Sequence, residues 1–481
     1  MDESSVPKEL AAVFRIIEED KDQMLSWLKE LVAIPTISAE KEHRKDILRL
    51  IHQTQEKLKK HGVHVILEPL GDQKLSDGSQ VPFPPLLLAS TNHDPKRKTL
   101  LVYGHLDVQP AHKDDGWETE PFQPVEKDGR LYGRGTAHNK GPLTACIWAL
   151  CAFLQSAGRP PLNVRLLIDN MQEVDSQGMA AYLKSDKRSE YLKEVDYVCI
   201  SDGVWLGPRT PCLTYALRGI CHFQVEVTCA RVDLHSGIYG GTAIEAMPDL
   251  MYLLNSLTDA GGRITIPGIY NDVQPVTHEE RKIYEGFEFD IEAFREEMGV
   301  SRMAGADKTE ILMRRWRYPS LSIHGVEGAH WSSGEKAVIP GRVVGKFSIR
   351  TVPNQTAQKV RQCVEKHLQT QFSRRGSPNR VKVIMSHCAD SWMADPTGPH
   401  FEAAEAAVKH AYGVAPHKTR GGFSVGSARL LQEHVCRDVL LMSINPAGCG
   451  FHSQNEHISI ADLVSGAKLF AAYMHELSKL K

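Results

Sequence analysis

An α/β fold with a mainly parallel central sheet, interrupted by an inserted α+β unit, is predicted by three observations. Strands and helices alternate from about residue 63. That alternation gives way after about Thr214 to strands that alternate inward and outward, and returns beyond about Ser391. The length of 481 residues calls for two or three packed units rather than one.

The elements follow in order. Val13 to Val32 is predicted as one amphipathic helix, with Phe14, Ile17, Leu25, Leu28 and Leu31 at helical spacing, and Lys41 to Lys60 as a second, with Ile47, Leu48 and Ile51. Strands are predicted at Val63 to Leu67, Leu86 to Ala89, Leu100 to Tyr103, Asn163 to Ile168 and Tyr197 to Ser201. Pro142 to Leu154 is a helix opened by an early proline. In the inserted unit, strands at Cys221 to Thr228, Val343 to Arg350 and Lys382 to Met385 enclose helices near Ala243 to Leu257 and Thr356 to Gln371. Pro248 is expected to kink the first of these, because it lacks an N–H and its ring clashes with the preceding turn. Val439 to Met442 is a buried strand and Ile460 to Leu477 a final helix. The chain therefore divides into 1–213, 214–390 and 391–481, the outer two segments forming one domain.

Composition excludes several classes. With 57 basic and 59 acidic residues the net charge is −2, so nothing draws the chain to nucleic acid or an anionic membrane. Met1 to Leu10 lacks the apolar stretch of a secretory signal, and no later run is long enough to span a bilayer, which predicts a cytoplasmic protein. The ten cysteines contain no C-x-x-C pair and read as reduced thiols. Gly133-Arg134-Gly135 lacks the third glycine of a dinucleotide fingerprint, and neither a phosphate loop nor a G-x-S-x-G elbow occurs.

What remains is a pattern at the carboxyl ends of the strands, where open parallel sheets place their ligands. His105 and Asp107 follow one strand, Gln172 and Glu173 a second, Asp202 a third and His452 a fourth. Histidines and carboxylates delivered from separate loops are the donor set of a mixed nitrogen and oxygen metal site.

These residues also carry a resemblance. Tyr103 to Pro110, Ile200-Ser201-Asp202, Asp233-Leu234-His235-Ser236-Gly237, Trp316 to Leu321 and His452 to Glu456 resemble the cytosolic nonspecific dipeptidase and carnosinase branch of the M20 metallopeptidases, over nearly the whole chain. The resemblance implies a zinc-peptidase-like catalytic domain in two segments and a ferredoxin-like lid that makes a homodimer. It implies hydrolysis of dipeptides with two divalent ions, zinc or manganese. Carried over residue by residue, His105 and Asp202 hold one ion, Glu173 and His452 the other, and Asp107 orients a ligand. His235, Arg350 and Ser424 grip substrate, with His235 reaching into the partner's site.

Departures from that pattern are concentrated in the site. His138 stands where the family has an aspartate that bridges the ions; a neutral imidazole has one lone pair to offer, so His138 can bridge only as an imidazolate. Gln172 replaces the glutamate that moves protons, a loss worth about 10²- to 10⁴-fold in rate. Asp169 and Asp175 are the acids of the same loop that could substitute for it. Ala337 replaces a threonine, Gly421 and Phe423 alter the turn before Ser424, and Ala447 to Phe451 lacks the acidic residues of relatives. Two readings follow. One is a weakened hydrolase with a single ion on His105, His138 and Asp202. The other is a noncatalytic dimeric binding or regulatory protein, with or without a metal, which could also pair with an active relative.

Overall fold

The computed structural model describes residues 6–75, 78–330 and 332–481. The first five residues of the polar amino terminus lie outside that description.

Runs such as Leu100-Leu101-Val102-Tyr103 are apolar at every position because both faces of their sheet are covered. Leu100 and Val102 pack with the helices Lys8–Glu19, Lys21–Val32, Lys140–Ala157 and Ile460–Leu477, while Leu101 and Tyr103 turn to the other face with Met179, Leu183 and Leu431. This large sheet runs in the order His64–Glu68, Leu86–Ser90, Asn163–Asp169, Thr99–His105, Tyr197–Ile200, Val439–Met442, Cys212–Leu217 and Trp392–Met393, with His417–Gly421 also on Cys212–Leu217. It is mixed rather than mainly parallel. Its four middle strands, from Asn163–Asp169 to Val439–Met442, are parallel, but the flanking pairs at both ends are antiparallel, apart from His417–Gly421. Alternation of strands with helices fixes direction only where a helix crosses over, so the direction of the edge strands escaped the prediction.

A second sheet carries the β-α-β-β-α-β order of a ferredoxin-like unit. Its strands lie as Ser320–Glu327, Arg342–Thr351, Gly219–Thr228 and Arg380–Ala389, all antiparallel. Phe223, Val225 and Val227 face the helices Ala246–Asn255 and Ala357–Arg375, leaving Ile220, His222 and Gln224 on the open face. The chain passes between the two sheets at Arg218 and again near Ser391.

Two helix predictions need correction. Val13 to Val32 is two helices, Lys8–Glu19 and Lys21–Val32, broken at Asp20. Pro248 makes no kink: its helix starts at Ala246, so the proline occupies the first turn, where no N–H is needed.

Below the candidate site, helix Lys140–Ala157 packs closely under the loop that precedes it. A Cβ added to Gly141 would stand 2.0 Å from the Thr136 carbonyl oxygen. Gly141→Ala is expected to destabilise the fold by about 1–3 kcal/mol, read as a fall in urea midpoint. An unchanged midpoint would contradict that packing.

Candidate metal centre

His105 ends the buried strand Thr99–His105, and Asp107 follows it with no exposed surface. The Asp107 carboxylate ties three groups together. Oδ1 lies 3.2 Å from His105 Nδ1, and the backbone N–H groups of Gln172 and Glu173 donate to Oδ1 and Oδ2 at 3.1 and 2.9 Å. One carboxylate thus fixes both an imidazole and the turn Gln172–Val174.

The loop bearing His138 is held by Glu456, the last residue of the His452 to Glu456 motif, whose role the sequence alone did not indicate. Glu456 accepts from the backbone N–H groups of Gly135, Ala137 and His138 at 3.0, 2.9 and 2.9 Å, and from Arg134 at 2.9 Å. Four donors converge on a side chain with no exposed surface. The opposite charge of Arg134 was a signal of this contact, but 322 residues separate the partners.

Held in this way, His138 becomes the centre of the cluster. Its Nε2 lies 3.2 Å from His105 Nε2 and 3.0 Å from Asp202 Oδ1, while its Nδ1 lies 3.0 Å from Glu173 Oε1 and 2.7 Å from His452 Nε2. His452 is 3.0 Å from Glu173 Oε1, and it adopts a φ of 58°, uncommon outside glycine. Gln109 Nε2 donates to the other Glu173 oxygen at 2.9 Å. The five predicted ligands therefore converge as two groups of three: His105, His138 and Asp202, fully buried, and His138, Glu173 and His452, more open.

The donor chemistry fits a divalent ion. Separations near 3 Å approach the edge of a tetrahedron with ~2.0 Å bonds, about 3.3 Å. The hydrogen-bond network assigns the His105 proton to Nδ1, beside Asp107, and a proton on His138 Nδ1 would face Glu173. Three acceptors then meet at His105 Nε2, His138 Nε2 and Asp202 Oδ1. A cation must complete them, either a metal ion or a second proton on His138. Because His138 belongs to both groups and has one lone pair when neutral, the groups cannot both be filled through it.

Electrostatics agree with a centre short of positive charge. Burial works against a charged His138, but Asp202 and Glu173 outweigh it and hold the imidazole well above its ordinary value. Glu173 is likewise pulled well below the usual carboxylate range despite its burial, by His138 and then His452, and Asp202 is lowered by His138.

The remaining positions are distributed around this centre. The Gln172 amide oxygen is buried without a hydrogen-bond partner among the described residues. Asp169 is occupied in capping its own turn through Asn170 and Met171, and Asp175 lies 3.5 Å from His387 of the second sheet. Arg350 Nη1 donates to Ser424 Oγ at 2.8 Å, bringing two predicted substrate residues together. His235 is exposed, and among the described residues no hydrogen bond or ion pair links it to the cluster. Phe451 packs tilted against His138, with ring centroids 4.2 Å apart and ring planes 38° apart, a contact the sequence did not foretell. Phe423 packs against the core and lies 3.3 Å from where a Gly203 Cβ would stand, beside Asp202.

The sequence profile of Peptidase family M20/M25/M40 matches residues 101–476. The chain is 41% identical over 473 residues to the Beta-Ala-His dipeptidase of Rattus norvegicus, covering 98% of this chain and 96% of that protein. It is 40% identical over 474 residues to the Cys-Gly metallodipeptidase DUG1 of Saccharomyces cerevisiae, covering 98% of each. Among solved structures, human carnosine dipeptidase 1 superposes with a TM-score of 0.89 at 40% identity, over 98% of this chain and all of that one.

Proposed function

Because the chain belongs to peptidase family M20/M25/M40, we propose that it binds dipeptides beside a centre holding a single zinc or manganese ion, and that its cleavage of them is weak. The observation that carries this reading is the position of His138, shared between two ligand groups that a neutral imidazole cannot serve together.

A divalent ion on His105, His138 and Asp202 would polarise a peptide carbonyl and lower the pKa of a bound water. Asp107 keeps the His105 lone pair turned inward, and Arg350 with Ser424 anchors the substrate carboxylate. The defect lies in proton transfer. Gln172 can hydrogen-bond a water but cannot take its proton, and Asp169 and Asp175 are engaged elsewhere. The four-stranded unit serves as a lid, and a second copy of the chain supplies His235. Exposed Val232, Ile238, Tyr239 and Ile244 around that histidine support such a dimer. Ten free cysteines and the absence of a membrane-spanning helix among the described residues are consistent with a cytoplasmic setting.

A second reading, a noncatalytic dipeptide-binding homologue, is favoured by the Phe451 ring, which crowds the His138 imidazole at a centroid distance of 4.2 Å. Calorimetric titration with dipeptides in zinc or manganese, beside a hydrolysis assay, separates the two. The weak-hydrolase reading expects binding with turnover about 10²-fold or more below a relative that carries the glutamate. Binding without turnover selects the second reading. Absence of binding overturns both, and turnover equal to such a relative overturns the impairment.

A further inference from the structure

Several guanidinium groups held inside this chain meet carboxylates: Arg134 pairs with Glu456 at 2.9 Å, Arg317 with Glu280 at 3.0 Å and Arg420 with Glu280 at 3.1 Å. Arg218 and Arg350 do not. Among the described residues neither has a carboxylate oxygen within 4.0 Å. Both donate to neutral groups instead. Arg218 donates from Nε to the Gly422 carbonyl and from Nη1 to Ser320 Oγ, each at 2.9 Å. Arg350 donates to Ser424 Oγ, and that hydroxyl donates to the Arg218 carbonyl at 2.6 Å.

Arg218 is where the chain crosses between the sheets, and Arg350 stands in register with Ile220 and Ser320 at the facing end of the lid. Between them runs the turn Gly422-Phe423-Ser424, whose phenylalanine touches the Asp202-Gly203 corner of the metal centre. Burial pushes the Arg218 guanidinium down to about 10, with Arg350 and Arg315 adding to the effect, and burial lowers Arg350 as well. Cations withdrawn from water without a counter-charge are costly, which marks the place for an anion. A single carboxylate would leave one of the two positive charges unbalanced.

Resting on the dipeptide-binding reading, in which Arg350 takes the terminal carboxylate, we infer that Arg218 and Arg350 together receive a second negative charge, so that the chain selects dipeptides with a C-terminal aspartate or glutamate. Arg218 is then a specificity-determining residue. Titration of the full chain with Ala-Glu and its neutral isostere Ala-Gln tests this. Ala-Glu is expected to bind about ten-fold tighter or more, and Arg218→Gln to bring the two within about two-fold. Should that variant fail to fold, Arg218→Lys, which keeps the charge but loses the planar fork, is expected to reduce the ratio about three-fold. Equal affinities in the unmodified chain, or an unchanged ratio in whichever variant folds, overturns the inference. Failure of the underlying reading looks different, because neither peptide would then bind.

Discussion

Replacing His138 by aspartate and Gln172 by glutamate together is expected to raise kcat/KM for dipeptide hydrolysis by about 10²- to 10⁴-fold. On the weak-hydrolase reading, each half of the change supplies a different missing group. His138→Asp removes an imidazole that stands 3.0 Å from both Asp202 and Glu173 and offers two oxygens in its place. Gln172→Glu restores a basic oxygen at the end of a side chain whose backbone is already fixed by Asp107. Either change alone is expected to fall well short of the pair, since a base without a well-held ion, or an ion without a base, leaves the chemistry incomplete. Steady-state kinetics on the unmodified chain, both single variants and the double variant check this. If the double variant gains nothing, the fault lies instead with Ala337, Gly421, Phe423 and the loop Ala447 to Phe451.

Glu456→Ala is expected to destabilise the protein by about 3–5 kcal/mol, because it strands the Arg134 guanidinium inside the fold and leaves three backbone N–H groups without acceptors. Glu456→Gln is also expected to be costly. All four neighbours are donors, and a glutamine must turn its own NH₂ group toward some of them. Denaturant midpoints, together with metal binding by the same variants, give the measurement. Stability close to that of the unmodified chain in both variants would mean that Glu456 does not hold the His138 loop.

Much of this was legible in the sequence for identifiable reasons. Continuous apolar runs mark strands covered on both faces, which is why Leu100 to Tyr103 and Val439 to Met442 were found, and ligands fall where such strands end. His105, Asp107, Glu173, Asp202 and His452 are therefore brought together from positions hundreds of residues apart. Periodicity was blind to the break at Asp20, because the helices on either side both bury an apolar stripe in the same core. Pro248 misled for the opposite reason, since its meaning depends on whether a helix begins just before it or well before it. The roles of Glu456 and Phe451 were hidden because they act through contacts that only folding creates. The sequence named His138 as a departure from the family. That its two nitrogens face two different ligand groups is a matter of geometry.

Metal content is the most direct test of that sharing. The chain is loaded with zinc or manganese, freed of unbound ions and analysed by elemental mass spectrometry per protein concentration. One ion per chain at most is expected, rising to two when His138 is replaced by aspartate. Two tightly held ions in the unmodified chain would mean that His138 does not limit the centre to one.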